Sequence, residues 1–365
     1  MYKIRSSLVG LNRWSYMKQS CKEPSKTTLT IFLSIIGLGR FYTSSNPRDA
    51  VYGFLGLTND KIASRFKPNY HDSPLQVFRD TMIETVLGLK SLLPFGLAGL
   101  GNKSRDHFPR PTWMLDLSKL AQEDYEEVTG AATVDRLTDA KIFSACGDAP
   151  LVFNAVDDAT AQCNGIYIDR IEDKSADVMN FKNPQMYRKE LLENLEAWQH
   201  LCNTNPSYNI PEEELFWRVL SNDICHSLDA GMRRCISEDV EAYHVWMNTR
   251  KTPDVTFNKN QTAYDFHTSV WNACTGRRLF ATTKGYIGTG LAELEIGDHV
   301  YILAGGPRPY VLRPVEDAER PCTFQLVGDS YVHGLMDGEA VAHLNTDASH
   351  NGREREDGFH DVFLV

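Results

Sequence analysis

The chain has 365 residues, 42% of them hydrophobic and 24% charged, with 38 Lys and Arg against 48 Asp and Glu for a formal net charge of -10. A chain of this length buries a sizeable core in two or three subdomains. Its acidic balance, with no sustained basic tract, argues against nucleic-acid or anionic-membrane binding. No apolar run reaches the roughly 18 residues of a spanning helix, and Met1 to Gly10 lacks the apolar core of a secretory signal. No stable membrane association and a cytoplasmic location are therefore expected. Eight cysteines with no Cys-x-x-Cys pair read as reduced, mostly buried thiols.

In chain order, residues 26 to 40 are expected to form a helix that stops near Gly37 to Gly39. Asn46-Pro47-Arg48-Asp49 then reads as the start of a short helix ending near Gly56, with Asn46 capping and Asp49 reaching back. Gly53 inside it implies a close backbone approach. Ser73, Pro74 and Gln76 form a capping box for a helix over 73 to 88, whose apolar face is Leu75, Phe78, Met82, Val86 and Leu89. The loop through Gly99, Leu100, Gly101 and Asn102 is expected to be a flexible insertion.

Residues 142 to 147 and 163 to 171 read as strands, the second alternating so that Ile166, Ile168 and Arg170 oppose Tyr167, Asp169 and Ile171. Asp169 is either a functional acid or the acceptor of a turn or inter-strand hydrogen bond. Helices are expected from 184 to 248. Pro184 begins one with the stripe Leu191, Leu195, Trp198 and Cys202, and Pro211 begins another. Ser237 begins a third, with Val240, Tyr243, His244 and Met247 on one face, and residues 261 to 274 form a last helix.

From Gly276 to Val341 the pattern changes. Short runs rich in Val, Ile, Tyr, Phe and Thr, punctuated by Lys-Gly, Gly-Asp, Gly-Gly-Pro and Asp-Gly, read as antiparallel strands and tight turns. Such a meander must close or pack on helices to hide its edges. The expected fold is α+β: a mainly helical body packed against a C-terminal antiparallel β-meander or small barrel, with a second small β region in the middle.

The elements Gly276-Arg277-Arg278-Leu279-Phe280, Gly297-Asp298 and Tyr331-Val332-His333-Gly334-Leu335-Met336-Asp337-Gly338-Glu339 follow one another in an order that resembles the carboxyl-terminal region of fungal heterokaryon-incompatibility (HET) domain proteins. Pro47-Arg48-Asp49 before Val51-Tyr52, and Pro111-Thr112-Trp113-Met114-Leu115-Asp116, resemble further family elements. So does the strand from Gly165 through Asp169 to Ile171. The family's earlier acidic Trp-Ile-Asp-x-x-Cys-Ile-Asn-Gln element is absent before Pro47.

The resemblance therefore implies a helical remnant of the HET domain over 1–105. A mixed helical and β region over 106–275 and a β-rich subdomain over 276–365 follow it. The function it implies is a regulatory or accessory role in fungal non-self recognition and programmed cell death.

The residues by themselves leave two further classes open, a diverged enzyme of specialised metabolism and a protein-binding scaffold. For an enzyme such as a cyclase, isomerase or hydrolase, the catalytic candidates are His333, Asp329, Tyr331, Glu339 and Arg278. On a strand Asp329, Tyr331 and His333 share a face and can orient an imidazole and a phenol for proton transfer. Arg277 and Arg313 can hold a carboxylate or enolate, and Trp113, Tyr167 and Trp271 can line an apolar pocket with Tyr331. The same groups equally suit a polar network tying the barrel together. The spacing of His, Cys and acids matches no metal motif, and Gly288-Thr289-Gly290 lacks a nucleotide-binding context. Neither cofactor nor metal is expected. The expected partner is a protein or a small apolar metabolite, with self-association possible and no nucleic acid.

Overall fold

The computed structural model of the chain describes residues 28–39, 44–100, 110–115, 117, 136–137, 140–176, 187–204, 210–227, 231–251, 260–316, 320–342 and 358–365. Expectations for the amino terminus, Gly101 to Asn102, Asp116 and the Pro184 helix start lie outside these residues.

Helix α1 spans Leu29–Gly39, and α2 is a short helix over Asp49–Tyr52. Asn46 Oδ1 accepts from the Arg48 N–H at 3.1 Å, but the residue that caps α2 is Arg48, whose side chain makes no cap hydrogen bond, so Asn46 shapes the turn before the helix instead of capping it. Asp49, instead of reaching back, accepts from the Tyr70 hydroxyl at 2.8 Å. A Cβ on Gly53 would lie 2.7 Å from the Asp49 carbonyl oxygen, the close approach anticipated there. Helix α3 covers Asp60–Ala63 and α4 covers Pro74–Leu89. The capping box on α4 is complete: Ser73 Oγ accepts from Gln76 N at 3.2 Å, and Gln76 Oε1 accepts from Ser73 N at 2.7 Å. Phe78, Met82 and Val86 pack with Phe32, Leu33 and Ile36 of α1. Lys90, in a left-handed conformation (φ 53°), ends the helix.

The 142–147 run is not a strand. It begins in a short 3-10 turn (Ala140–Ile142) and continues as tight turns. Strand β1 (Phe153–Ala155) pairs with the long β2 (Ala161–Lys174). The expected helical stretch from 184 to 248 comprises α5 (Tyr187–Thr204), α6 (Glu212–Ser221) and α7 (Val240–Lys251). It is interrupted by a hairpin that periodicity missed, β3 (Ile224–Ser227) with β4 (Gly231–Arg234). Helix α8 (Gln261–Cys274) leads into the terminal strands. On α7 the buried positions among the described side chains are Tyr243, Trp246 and Thr249, whereas His244 is exposed and pairs with Glu213 at 3.0 Å.

The terminal strands are β5 (Arg277–Thr282), β6 (Ile287–Leu291), β7 (His299–Leu303), β8 (Tyr310–Pro314), β9 (Thr323–Asp329), β10 (Tyr331–Val332) and β11 (His360–Leu364). Their pairings run β2–β11–β9–β8–β7 and return to β2, closing a ring. β5, β6 and β10 continue from β2 outside that ring, so the whole is a mostly antiparallel sheet and not a simple barrel; β11 with β9 is its parallel pair. Closure leaves the ring strands with partners on both edges. At the seam Gly165 pairs with Leu303 on one side and His360 on the other. A side chain there would meet Leu303, Tyr301 and Val362 at 2.7–3.2 Å.

Period-two alternation sorts the ring strands between two cores. Val300, Ile302, Val311 and Val327 join an inner cluster with Ile166, Ile168 and Ile171. Tyr301, Leu303, Tyr310, Leu312 and Leu326 pack outward onto α1, α4 and Trp113. A third cluster joins α5, α6, α7 and α8 to Leu279, Ile287 and Tyr331. The β2 alternation breaks at a register shift between Tyr167 and Asp169. Tyr167 is consequently 42% exposed and Asp169 only 1%, so the two do not share a face.

Candidate functional site

Asp329 closes β9, a strand whose β-branched and apolar residues pull its end into the protein. Arg277 opens β5, and Arg308 lies in the turn between β7 and β8; both are buried. Arg277 Nη2 donates to Asp329 Oδ1, while its Nη1 donates to the carbonyls of Asp329 and Thr289 at 3.1 and 3.2 Å. Arg308 Nη1 donates to Asp329 Oδ2 at 3.0 Å. Burial by itself would raise the Asp329 pKa, but Arg277, Arg308 and Arg136 outweigh it and hold the carboxyl below its usual range. Burial also pushes the Arg277 guanidinium down; its ordinary value is so high that it stays a cation. The space among Arg136, Arg308, Tyr310 and Asp329 is about 10 Å³, which is room for about one water and no organic substrate.

Asp329 ends β9 and Tyr331 opens β10; the Asp329 carboxylate is taken by Arg277 and Arg308, while Tyr331 pairs with His333. Tyr331 is buried against Phe143, and its hydroxyl and His333 Nδ1 are 2.9 Å apart. Burial lowers the His333 pKa, with Asp223 acting in the opposite sense, so this imidazole is held neutral. Asp337 accepts from Arg234 Nη1 at 2.7 and 2.8 Å. Glu339 Oε2 accepts from the Asp337 N–H at 2.7 Å, shaping the turn from which Asp337 projects.

Arg234 also donates to Asp223, at 2.6 Å from Nη2 and 3.0 Å from Nε. Arg218 on α6 donates to Asp223 and to Glu214. Asn222 and Asp223 are consecutive non-glycine residues with φ of 51° and 56°, a conformation of roughly 1–3 kcal/mol each that persists only where surroundings enforce it. It directs Asn222 Oδ1 to accept from Thr289 Oγ1 on β6 at 2.9 Å. It also directs the Asp223 carboxylate into the two guanidiniums. A single network thus joins helix α6, the β3–β4 hairpin and the terminal sheet.

The other candidates lie apart from it. Arg278 donates to the carbonyls of Ala292 and Ser175 at 2.8 and 3.0 Å. Arg313 pairs with Asp298 at 2.9 Å and donates to the Glu293 carbonyl at 2.7 Å. Asp169 accepts from the Lys284 N–H at 2.6 Å and from Thr283 Oγ1, both in the turn between β5 and β6, which is the turn-holding role. Trp113 is fully buried under α4 with Nε1 donating to the Ala159 carbonyl at 3.0 Å. Trp271 packs in the α5–α8 core, while Tyr167 lines an outer groove with His299, Tyr301 and Phe324. These three rings do not share a pocket.

Sequence reasoning missed Arg308, Arg218, Asp223 and Arg234. The doublet Arg233-Arg234, which closes β4, is the one local trace of that pairing in the sequence. It also missed a cluster of metal-binding residue types in the same hairpin, Cys225, Cys235 and Asp239, whose ligand atoms lie within 4.8 Å of one another. Those three residues are 10 and 4 apart in the chain, and only the hairpin turn brings them together.

A C-terminal, mostly antiparallel sheet braced internally by a buried Arg–Asp–Arg centre, and joined to a helical body through Asp223, Arg234 and Asn222, is the class of structure these observations define. Residues 236–348 match the family model of the Het-6 beta-barrel domain. The chain is also similar to heterokaryon incompatibility protein 6, OR allele, of Neurospora crassa, with 22% identity over 347 residues. That similarity covers 81% of this chain and 49% of the relative, so the chain spans about half the length of the curated relative it matches. No solved structure matches the chain significantly.

Proposed function

We propose that this chain acts through protein contact, in a regulatory or accessory role in fungal non-self recognition and the cell death that follows. The observation that carries this reading is the pairing of the motif's acid–base groups with one another. Asp329 is held by Arg277 and Arg308, Asp337 by Arg234, and Tyr331 by His333. The first of these pairings braces the sheet internally, and the Arg234–Asp337 pair links it to the hairpin of the helical body. They leave no substrate-sized space at Asp329. The similarity to heterokaryon incompatibility protein 6 supplies the biological setting.

A second reading rests on the outer groove of about 490 Å³ lined by Tyr167, His299, Tyr301 and Phe324. The groove is open to solvent, with an aromatic wall facing Glu316 and Arg320; its volume falls in the range of small-molecule sites, and a small, flat apolar metabolite is the occupant that wall suits. Native mass spectrometry of the chain purified from a filamentous fungus tests both. A co-purifying protein whose loss abolishes an incompatibility reaction supports the first reading, and a retained metabolite supports the second. A bare chain that leaves hyphal viability unchanged on fusion of incompatible strains sinks both.

A further inference from the structure

The β3–β4 hairpin gathers three side chains that neither the pairing network nor the groove uses. Cys225 lies on β3 and faces Cys235, which follows β4, with the two Sγ atoms 3.2 Å apart. Asp239, at the end of the 3-10 turn Ser237–Asp239 that leads into α7, completes a group whose ligand atoms all fall within 4.8 Å. Cys235 is buried, whereas Cys225 and Asp239 are partly accessible. The cluster therefore has a closed side toward Ser221 of α6 and an open side toward solvent.

We propose that Cys225, Cys235 and Asp239 form a binding site for one divalent thiophilic cation of the zinc class, with the fourth position open. Two sulfurs and one carboxylate oxygen are the donor set that suits zinc or cobalt and not magnesium or calcium. In a tetrahedral site with metal–sulfur bonds of about 2.3 Å, two thiolates stand roughly 3.8 Å apart. The observed 3.2 Å needs an opening of about half an ångström, which a small χ1 rotation of the half-exposed Cys225 supplies.

Charge favours the same occupant. Asp239 is held bidentately by Arg233, at 2.7 Å to each oxygen, and accepts from the Ile236 N–H at 2.7 Å. Arg233 thus orients the carboxylate in the way an outer hydrogen-bond partner orients a metal ligand. Two thiolates, one carboxylate and one guanidinium sum to −2, and one divalent cation brings the partly buried cluster to neutrality. Two protons leave for each cation bound, one from each thiol.

Reduced, metal-free full-length chain titrated with Co²⁺ tests the site. One equivalent per chain is expected to produce thiolate-to-cobalt charge-transfer and four-coordinate d–d bands. Stoichiometric Zn²⁺ removes them, and two protons are released per metal. Cys225→Ser is expected to abolish the charge-transfer band with circular dichroism unchanged, whereas Cys322→Ser, which alters an exposed thiol elsewhere, retains it. If Cys225→Ser fails to fold, alkylation supplies the answer, since one equivalent of Zn²⁺ is expected to slow modification of Cys225 and leave Cys322 reactive. Absence of a cobalt–thiolate band in the reduced wild-type chain overturns the proposal. So does a band that survives Cys225→Ser.

Discussion

Arg277 and Asp329 form a buried ion pair across 52 residues, and the same guanidinium also donates to the Asp329 carbonyl at 3.1 Å. The first residue of β5 therefore fixes both the side chain and the backbone at the end of β9. Arg308 takes the second carboxylate oxygen, so two buried cations depend on one acid. Asp329→Asn is expected to destabilise the chain by about 3–5 kcal/mol, because it leaves charge buried without its counter-ion. Urea denaturation checks this; a loss below about 1 kcal/mol, in the range of a surface pair, would contradict it.

Stability is expected to fall with acid in two stages. Burial lowers the pKa of His333 and of His299. An imidazole whose folded pKa lies below the unfolded value of about 6.5 takes up its proton first in the unfolded chain. Its contribution is thus full above about pH 6.5 and shrinks as pH falls toward the folded value. Asp329, Asp239 and Asp169 are depressed carboxyls. Their contribution is held above the ordinary carboxylate value of about 3.9 and is lost as pH drops through their lower folded values. Urea midpoints across the acid range should show both stages, and His299→Gln with His333→Gln should flatten only the first.

Gly99 and Gly56 should respond to alanine to very different extents. At Gly99 φ is 104° and a Cβ would come within 2.3 Å of the Val327 carbonyl oxygen, while at Gly56 a Cβ meets nothing within 4 Å. Gly99 is held there by its N–H donating to the Thr112 carbonyl at 2.8 Å, and Leu100 N donates to β9, so this part of the expected flexible loop is pinned to the sheet. Gly99→Ala is expected to destabilise by at least 1–3 kcal/mol, roughly the strain of a forced backbone, and Gly56→Ala by less than about 0.5 kcal/mol. Thermal melting of the two variants side by side decides it.

Ser73→Ala removes the acceptor for the Gln76 N–H and half of the capping box. A loss of about 1 kcal/mol is expected, read as a lower urea midpoint with unchanged slope. An unaltered midpoint would mean that Pro74 and the packing of Phe78 and Met82 set the helix start unaided.

Local signals carried the helices well, because a cap such as Ser73 acts within three residues and an apolar stripe such as Leu191, Leu195 and Trp198 records one face. They failed where non-local pairing decides. The run from Ile142 to Gly147 has strand-like composition, yet its N–H groups bond to Pro307, Gly306 and their own turn. The hairpin over 224–234 sits between helices and is too short to show a period. The alternation of β2 was legible as far as Tyr167, where a bulge set by β7 reverses the facing of Asp169.

Composition, capping residues and turn glycines by themselves determined that this is an α+β chain with a helical body and a strand-rich carboxyl end, since those effects act over a few neighbouring residues. Tertiary structure alone decided that β2 and β11 close the ring at Gly165 and that Arg308 joins Arg277 on Asp329. It also decided that Cys225 meets Cys235. Each of these depends on which edges and charges are buried together, and burial is settled by chain segments tens to hundreds of residues apart.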